Sequence, residues 1–197
     1  LVGRITSTQN VKGLKSSNNA QLGEWLPMGT VELDSGMLEI TFDSGAKVVL
    51  EGPAKFDLTG HNEGFLHSGI IVADVPKPAT GFVVNTPTSY IKDIGTSFGV
   101  NVNNSGDTEV HVLEGLIEVS SIEGNLAESQ PLRENEAMKL LSSGPDSVTN
   151  IPFNSEEFTA ATTIKEFKPS YNHIHFPMDE NKSKNILDKG NGFSSSP

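Results

Sequence analysis

Glycine-punctuated alternation of apolar and polar residues runs from Val2 to about Leu141 and restricts that stretch to sheet structure. Met37-Leu38-Glu39-Ile40-Thr41-Phe42 alternates with period two, as do Phe98-Gly99-Val100-Asn101-Val102 and Glu109-Val110-His111-Val112-Leu113. Successive side chains of a strand point to opposite faces, so each run predicts a strand with one buried face. β-Branched residues gather in the same region: Val48-Val49, Ile70-Ile71-Val72, Val83-Val84, Ile117 and Val119. Asp34-Ser35-Gly36 and Asp43-Ser44-Gly45 read as turns, and Leu66-His67-Ser68-Gly69, Asn104-Ser105-Gly106-Asp107 and Leu113-Glu114-Gly115 repeat the theme. Glycine accepts the positive φ of a hairpin turn, and Asp or Asn closes it through the side chain. Val75-Pro76-Lys77-Pro78 and Thr86-Pro87-Thr88 mark strand ends, because proline cannot donate to a ladder. The expected fold is all-β: a jelly-roll-like sandwich or β-roll of short antiparallel strands.

Past Ser142 the pattern changes. Ser142-Ser143-Gly144-Pro145 has linker composition, and Asn154-Ser155-Glu156-Glu157 predicts a helix start with Asn154 as cap and Glu157 three residues on. Phe158, Ala161 and Ile164 would then line one face of a short helix near residues 155–165. The sequence is therefore divided into a β domain over 1–141, a linker with a short helix over 142–170, and an extended tail over 171–197.

The 197 residues suffice for one domain with a core, or for one domain and a tail. A formal net charge of -11 and the lack of a basic cluster disfavour nucleic acid and anionic lipid surfaces as partners. No cysteine is present, which excludes disulfides and thiolate metal sites. No apolar run approaches the roughly 20 residues of a membrane span. The chain opens on Leu1 and shows no signal peptide, so it reads as a processed or excised piece, any membrane anchor lying upstream.

Gly95-Thr96-Ser97-Phe98-Gly99 matches G-x-S-x-G, the nucleophile elbow of α/β-hydrolases, which needs a helix after its serine. Strand alternation follows Ser97 instead, so the motif predicts a β-corner, and a hydrolase acting through Ser97 ranks last among the readings. Of the five histidines (His61, His67, His111, His173, His175) only His173-x-His175 has local spacing, with Asp179 and Glu180 nearby as oxygen donors. Asp179 onward lacks the glycine and glutamate of a calcium loop. Glu39, Glu51, Asp57, Asp93, Glu109 and Glu114 could supply an acid/base pair only if two converge, and their strand and turn positions predict ordinary surface charge. Trp25, beside Leu26 and Pro27, predicts core packing. The sequence thus nominates no catalytic, cofactor-binding or metal-binding residue, and the protein is expected not to be an enzyme.

Four stretches carry a resemblance: Leu33 through Ala54, including Asp43-Ser44-Gly45 and Glu51-Gly52-Pro53-Ala54; Gly81 through Pro87; Asp93-Ile94-Gly95-Thr96-Ser97-Phe98-Gly99-Val100; and Thr108 through Gly115. Together they resemble the FecR family of membrane-anchored sigma-factor regulators, in the form found in multidomain envelope proteins of planctomycetes. Ser97 stands where the family usually has an acidic residue. The resemblance implies a periplasmic β domain that relays a signal to a sigma factor, with a TonB-dependent receptor or another envelope protein as partner and iron or nutrient uptake as the controlled process. It brings no catalytic residue. Tyr171 to Glu180 and Asp188 to Gly192 resemble the opening of a laminin-G-like or concanavalin-like lectin domain, too short to bury that domain's core, so a poorly packed tail is expected. The alternative function is a carbohydrate-binding or scaffold module of the envelope.

Overall fold

The computed structural model describes residues 1–122, 129–143 and 148–164. These fold as an all-β structure whose strands are β1 (Gly3–Lys12), β2 (Lys15–Ser16), β3 (Trp25–Leu26), β4 (Gly29–Phe42), β5 (Lys47–Gly60), β6 (Glu63–Asp74), β7 (Val83–Asn85), β8 (Ser89–Asp93), β9 (Ser97–Val102), β10 (Thr108–Glu114), β11 (Leu116–Ser121), β12 (Gln130–Arg133), β13 (Ala137–Leu140) and β14 (Val148–Ile151). A 3₁₀ turn (Glu156–Phe158) runs into the single helical turn α1 (Thr159–Thr162).

The strands β4, β5 and β6 span 14, 14 and 12 residues, longer than the expected short strands. The reason lies in the glycines. Asp43-Ser44-Gly45 does close the β4–β5 hairpin, with the Gly45 N–H on the Phe42 carbonyl at 2.9 Å. Asp34-Ser35-Gly36 and Leu66-His67-Ser68-Gly69 do not turn the chain: they are bulges inside β4 and β6. A positive φ serves a bulge as well as a hairpin.

These bulges fall on one line across the sheet. Gly36 (φ 90°) lies opposite Gly52. The register breaks again beyond Glu51, and Gly69 (φ 99°) follows on β6. The backbones approach so closely there that a Cβ on Gly36 would lie 2.4 Å from the Asn10 carbonyl oxygen, and one on Gly69 2.5 Å from the Pro53 carbonyl oxygen. The extra residues also switch the alternation. On β4 the inward set is Val31 and Leu33 before the bulge, then Leu38, Ile40 and Phe42 after it. On β6 it changes from Leu66 to Ile71 and Ala73. Without the added residue the second half of each strand would turn its apolar face to water.

Beyond the line the sheet forks at β6. Glu63–Phe65 pairs in parallel with β7, whereas Gly69–Asp74 pairs antiparallel with β9. One branch continues β7–β8–β11–β12 and the other β9–β10–β13–β14. Both contribute to one buried cluster, Phe82, Ile91 and Ile117 from the first and Val100, Val110 and Leu140 from the second. Buried hydroxyls tie the branches together: Thr88 Oγ1 donates to Thr108 Oγ1 at 2.7 Å, and Thr108 Oγ1 donates to Thr86 Oγ1 at 2.8 Å.

The second branch, with β4, β5 and β6, has an outer face ordered in cross-strand rows. One row reads Glu39–Val49–Val72–Gly99–His111–Ala137–Ile151. Phe158 and Ala161 cover it, packing with Val49 and Val72, and Ile164 joins them, as the helix reading expects. Gly99 makes room: a Cβ there would lie 2.4 Å from the Phe158 ring. Asn154 Oδ1 accepts the Glu156 N–H at 3.1 Å, while Glu157 accepts from Asn101 Nδ2 instead of completing the expected capping box.

Gly69→Ala is expected to lower stability by about 2–3 kcal/mol in chemical denaturation, since backbone fills the space for its Cβ. Gly81→Ala, at φ 92° with open space around it, should lose only about 1 kcal/mol. Equal losses would contradict the close-approach account. Thr108→Val should lose about 1–3 kcal/mol, because Thr86 and Thr88 keep buried hydroxyls short of a partner.

Candidate interaction site

Where β4, β5 and β6 bulge, the sheet surface opens into a groove of about 580 Å³. Its polar lining includes Glu32, Asp34, Glu51, Lys55, Asn101 and Asn103. The row beside the covered one places two of these groups, Glu51 and Asn101: Met37–Glu51–Ile70–Asn101–Glu109–Lys139–Thr149. Three carboxylates oppose one ammonium among the groove's lining. Glu32 already pairs with Lys55 at 3.2 Å and Lys15 at 3.7 Å, both exposed contacts of little energetic weight. Glu51 differs, since its Oε2 is buried without a hydrogen-bond partner among the described residues. A carboxylate oxygen kept from water and from donors is costly, and a cationic or N–H donor would relieve that cost.

A second cluster lies past Asn101. Single ligand atoms of Glu109, His111 and Glu157 lie within 4.8 Å of one another, the one such grouping among the described residues. His111 is 1% exposed, its ring 5.2 Å from that of Phe158 and 6.1 Å from that of Phe153. Its Nδ1 accepts the Asn154 backbone N–H at 3.2 Å. In the neutral ring the proton therefore sits on Nε2, which leaves no lone pair there for a metal. Nε2 is buried without a hydrogen-bond partner among the described residues, and Glu109 Oε2 is 4.0 Å away, too far for a hydrogen bond. Glu109 Oε1 is held by Lys139 Nζ at 2.8 Å and Glu157 Oε1 by Asn101 Nδ2 at 2.5 Å. Burial pushes the His111 pKa down, and the charges of Glu157 and Glu109 only partly oppose it.

The remaining sequence candidates do not converge. Ser97 opens β9 opposite Asp74 and Glu114 and leads into strand, so no helix N-terminus stands behind it. Asp93 is fully buried as a turn closure, taking the Gly95 N–H on Oδ2 at 2.8 Å and the Thr96 hydroxyl on Oδ1. Glu39 accepts from Thr6 at 2.5 Å, and Glu114 ends β10. His61 bonds Asp43, and His67 Nε2 lies 2.7 Å from Asp57 Oδ2. Burial tends to raise the Asp57 carboxyl, but hydrogen bonds from His67 and Thr30 and the charges of His67 and Lys55 outweigh it and hold the carboxyl below its usual value. His173, His175, Asp179 and Glu180 lie outside the described residues. Trp25 corrects its expectation: it is 45% exposed, because the two-residue β3 turns Leu26 inward and Trp25 outward. The groove itself escaped sequence reading, because bulges rather than a motif create it.

Asp57→Asn should remove a stabilisation that is present above the ordinary carboxylate range and lost as pH falls through the lowered native value. Wild type and variant should differ in melting temperature at pH 7 and converge at low pH. A gap that persists under acid would contradict the pairing.

Comparison with known proteins now adds to this geometry. Residues 30–118 match the model of the family described as FecR protein. Two crystal structures of a protein from Parabacteroides distasonis ATCC 8503, provisionally described as an anti-sigma factor, share the fold. In one, 18% identity accompanies a TM-score of 0.54 over 66% of this chain and 62% of that chain. In the other the values are 18%, 0.52, 65% and 61%. The alignments thus span about three fifths of those proteins' length. A search of curated proteins finds no match. The match begins at the head of β4 and ends within β11, so the region similar to the FecR family is the one that holds the three bulged strands and the fork.

Proposed function

We propose that this chain is the extracytoplasmic part of a FecR-type signalling regulator that works by protein recognition rather than by chemistry. The similarity to the FecR family supports the regulatory role. In this reading a membrane anchor outside the present sequence connects the domain to a cytoplasmic sigma factor, and the signal arrives from an envelope protein such as a TonB-dependent receptor serving iron or nutrient uptake. The division into a β domain (1–141), a linker (142–170) and a lectin-like beginning (171–197) belongs to the same proposal.

The observation that carries the recognition step is the groove at the bulge line. It is open, polar, acid-rich and holds an unsatisfied carboxylate oxygen at Glu51. Such a surface suits a basic segment of a partner protein, whose guanidinium or ammonium would pair with Glu51. Introducing Glu51→Lys or Asp34→Lys into the full-length regulator should abolish signal-dependent transcription from a sigma-factor reporter while leaving protein level and melting temperature nearly unchanged. Undiminished signalling in both variants would refute the groove as the contact.

Exposed Trp25 favours a second reading, a glycan-binding module, since an outward indole can stack on a sugar ring. Glycan-array binding lost in Trp25→Ala but kept in Glu51→Lys would establish it, and no binding by the wild type would dismiss it.

A further inference from the structure

We propose that His111 is a proton-operated latch: while neutral it holds residues 153–164 on the outer face of the sheet, and protonation releases them. The contact is specific to one protonation state. Neutral His111 offers a lone pair at Nδ1, and the Asn154 N–H points at it from 3.2 Å. An imidazolium carries hydrogens on both nitrogens, so Nδ1–H would meet the Asn154 N–H donor to donor. The ring is also shut away from water, in contact with Phe153 and Phe158. A charge forming there has lost its hydration and has gained repulsion from the Asn154 backbone N–H.

The charged and titratable groups around the ring do not cancel this. From its own strand Glu109 faces Nε2 at 4.0 Å, but its other oxygen is bonded to Lys139 on β13. From the covering segment comes Glu157, one oxygen of which is bonded to Asn101 on β9. The residues directly opposite on β9 and β13 are Gly99 and Ala137, which do not titrate. Burial outweighs the two carboxylates, so the docked state holds its proton less tightly than the released state. Docking is accordingly full above the ordinary histidine value of 6.5 and weakens as pH falls below it toward the lowered value. Release lifts Phe158 off Gly99 and uncovers Val49 and Val72, an apolar strip beside the acidic groove. Once water enters, Glu109, which stays on the same strand, is at hand to pair with the imidazolium, whereas Glu157 leaves with the segment. The same groups would hold a metal only through a lone pair on Nε2, which the Asn154 contact denies. The latch does not depend on the function proposed above.

Two-dimensional amide NMR of the full chain between pH 7.5 and 5.0 tests it. The native cross-peaks of Asn154, Phe158 and Ala161 should be lost with the same midpoint as the His111 Cε1–H titration, while those of Ile71, Val100 and Val110 persist. Phe158→Ala should show the released pattern already at pH 7.5. His111→Gln, which cannot titrate, should give one pattern at both ends of the range. Retention of the native cross-peaks to pH 5.0 in the wild type would overturn the latch. So would a loss of equal size in His111→Gln, or midpoints about half a pH unit or more apart. If His111→Gln leaves the segment undocked throughout, coincidence of the wild-type midpoints decides.

Discussion

Long strands cannot wrap one core while staying regular, and in this protein the conflict is resolved along a single line. At Gly36, Gly52 and Gly69 neighbouring backbones approach to distances that no side chain permits. The close approach lets β4, β5 and β6 take extra residues and bend together. Bending lets β6 change neighbours, serving β7 with one half and β9 with the other. The fork produces two branches, and the branches share the core. Each later feature follows from glycine at those positions, because a Cβ at any of them would press the strands apart.

The outer face shows how one sheet acquires two kinds of surface. Side chains two residues apart on a strand lie in adjacent rows, so a covered row and an open row sit side by side. The covered row is apolar except for Glu39 and His111, and its glycine admits Phe158. Burying that ring contributes about 2 kcal/mol, modest enough for one altered polar contact to matter. The open row carries Glu51, Asn101, Glu109 and Lys139, and it meets the bulge line at the groove. Asn101 and Glu109 belong to the open row yet reach the covering segment through Glu157 and the His111 ring. The recognition surface and the latch are therefore neighbours by registry.

Much of this was legible in sequence and the rest was not, for identifiable reasons. Alternation exposed β4, β9 and β10, because period-two patterning is local. The motifs between Leu33 and Val119 carried the family resemblance, which the match over residues 30–118 makes good. Phe158, Ala161 and Ile164 were readable as one face by helical spacing. Asp34-Ser35-Gly36 misled because its composition equals that of the true turn at Asp43-Ser44-Gly45. Only the pairing partner separates bulge from hairpin, and the partner is remote in sequence. Trp25 misled because a two-residue strand offers no pattern from which to assign a face. Gly95 to Gly99 is a motif by spelling, with Gly95 turning the chain at φ 92° and Gly99 clearing space for a ring 59 residues on. The contact between His111 and Asn154 crosses 43 residues and involves a backbone amide, which leaves no trace in composition.

The most direct measurement is a map of cross-strand Hα–Hα and amide Overhauser contacts along β6. The account predicts contacts from Glu63–Phe65 to β7 and from Gly69–Asp74 to β9, with an interruption at His67 and Ser68 and matching interruptions near Gly36 and Gly52. A continuous ladder joining the whole of β6 to a single neighbour on that side would contradict it.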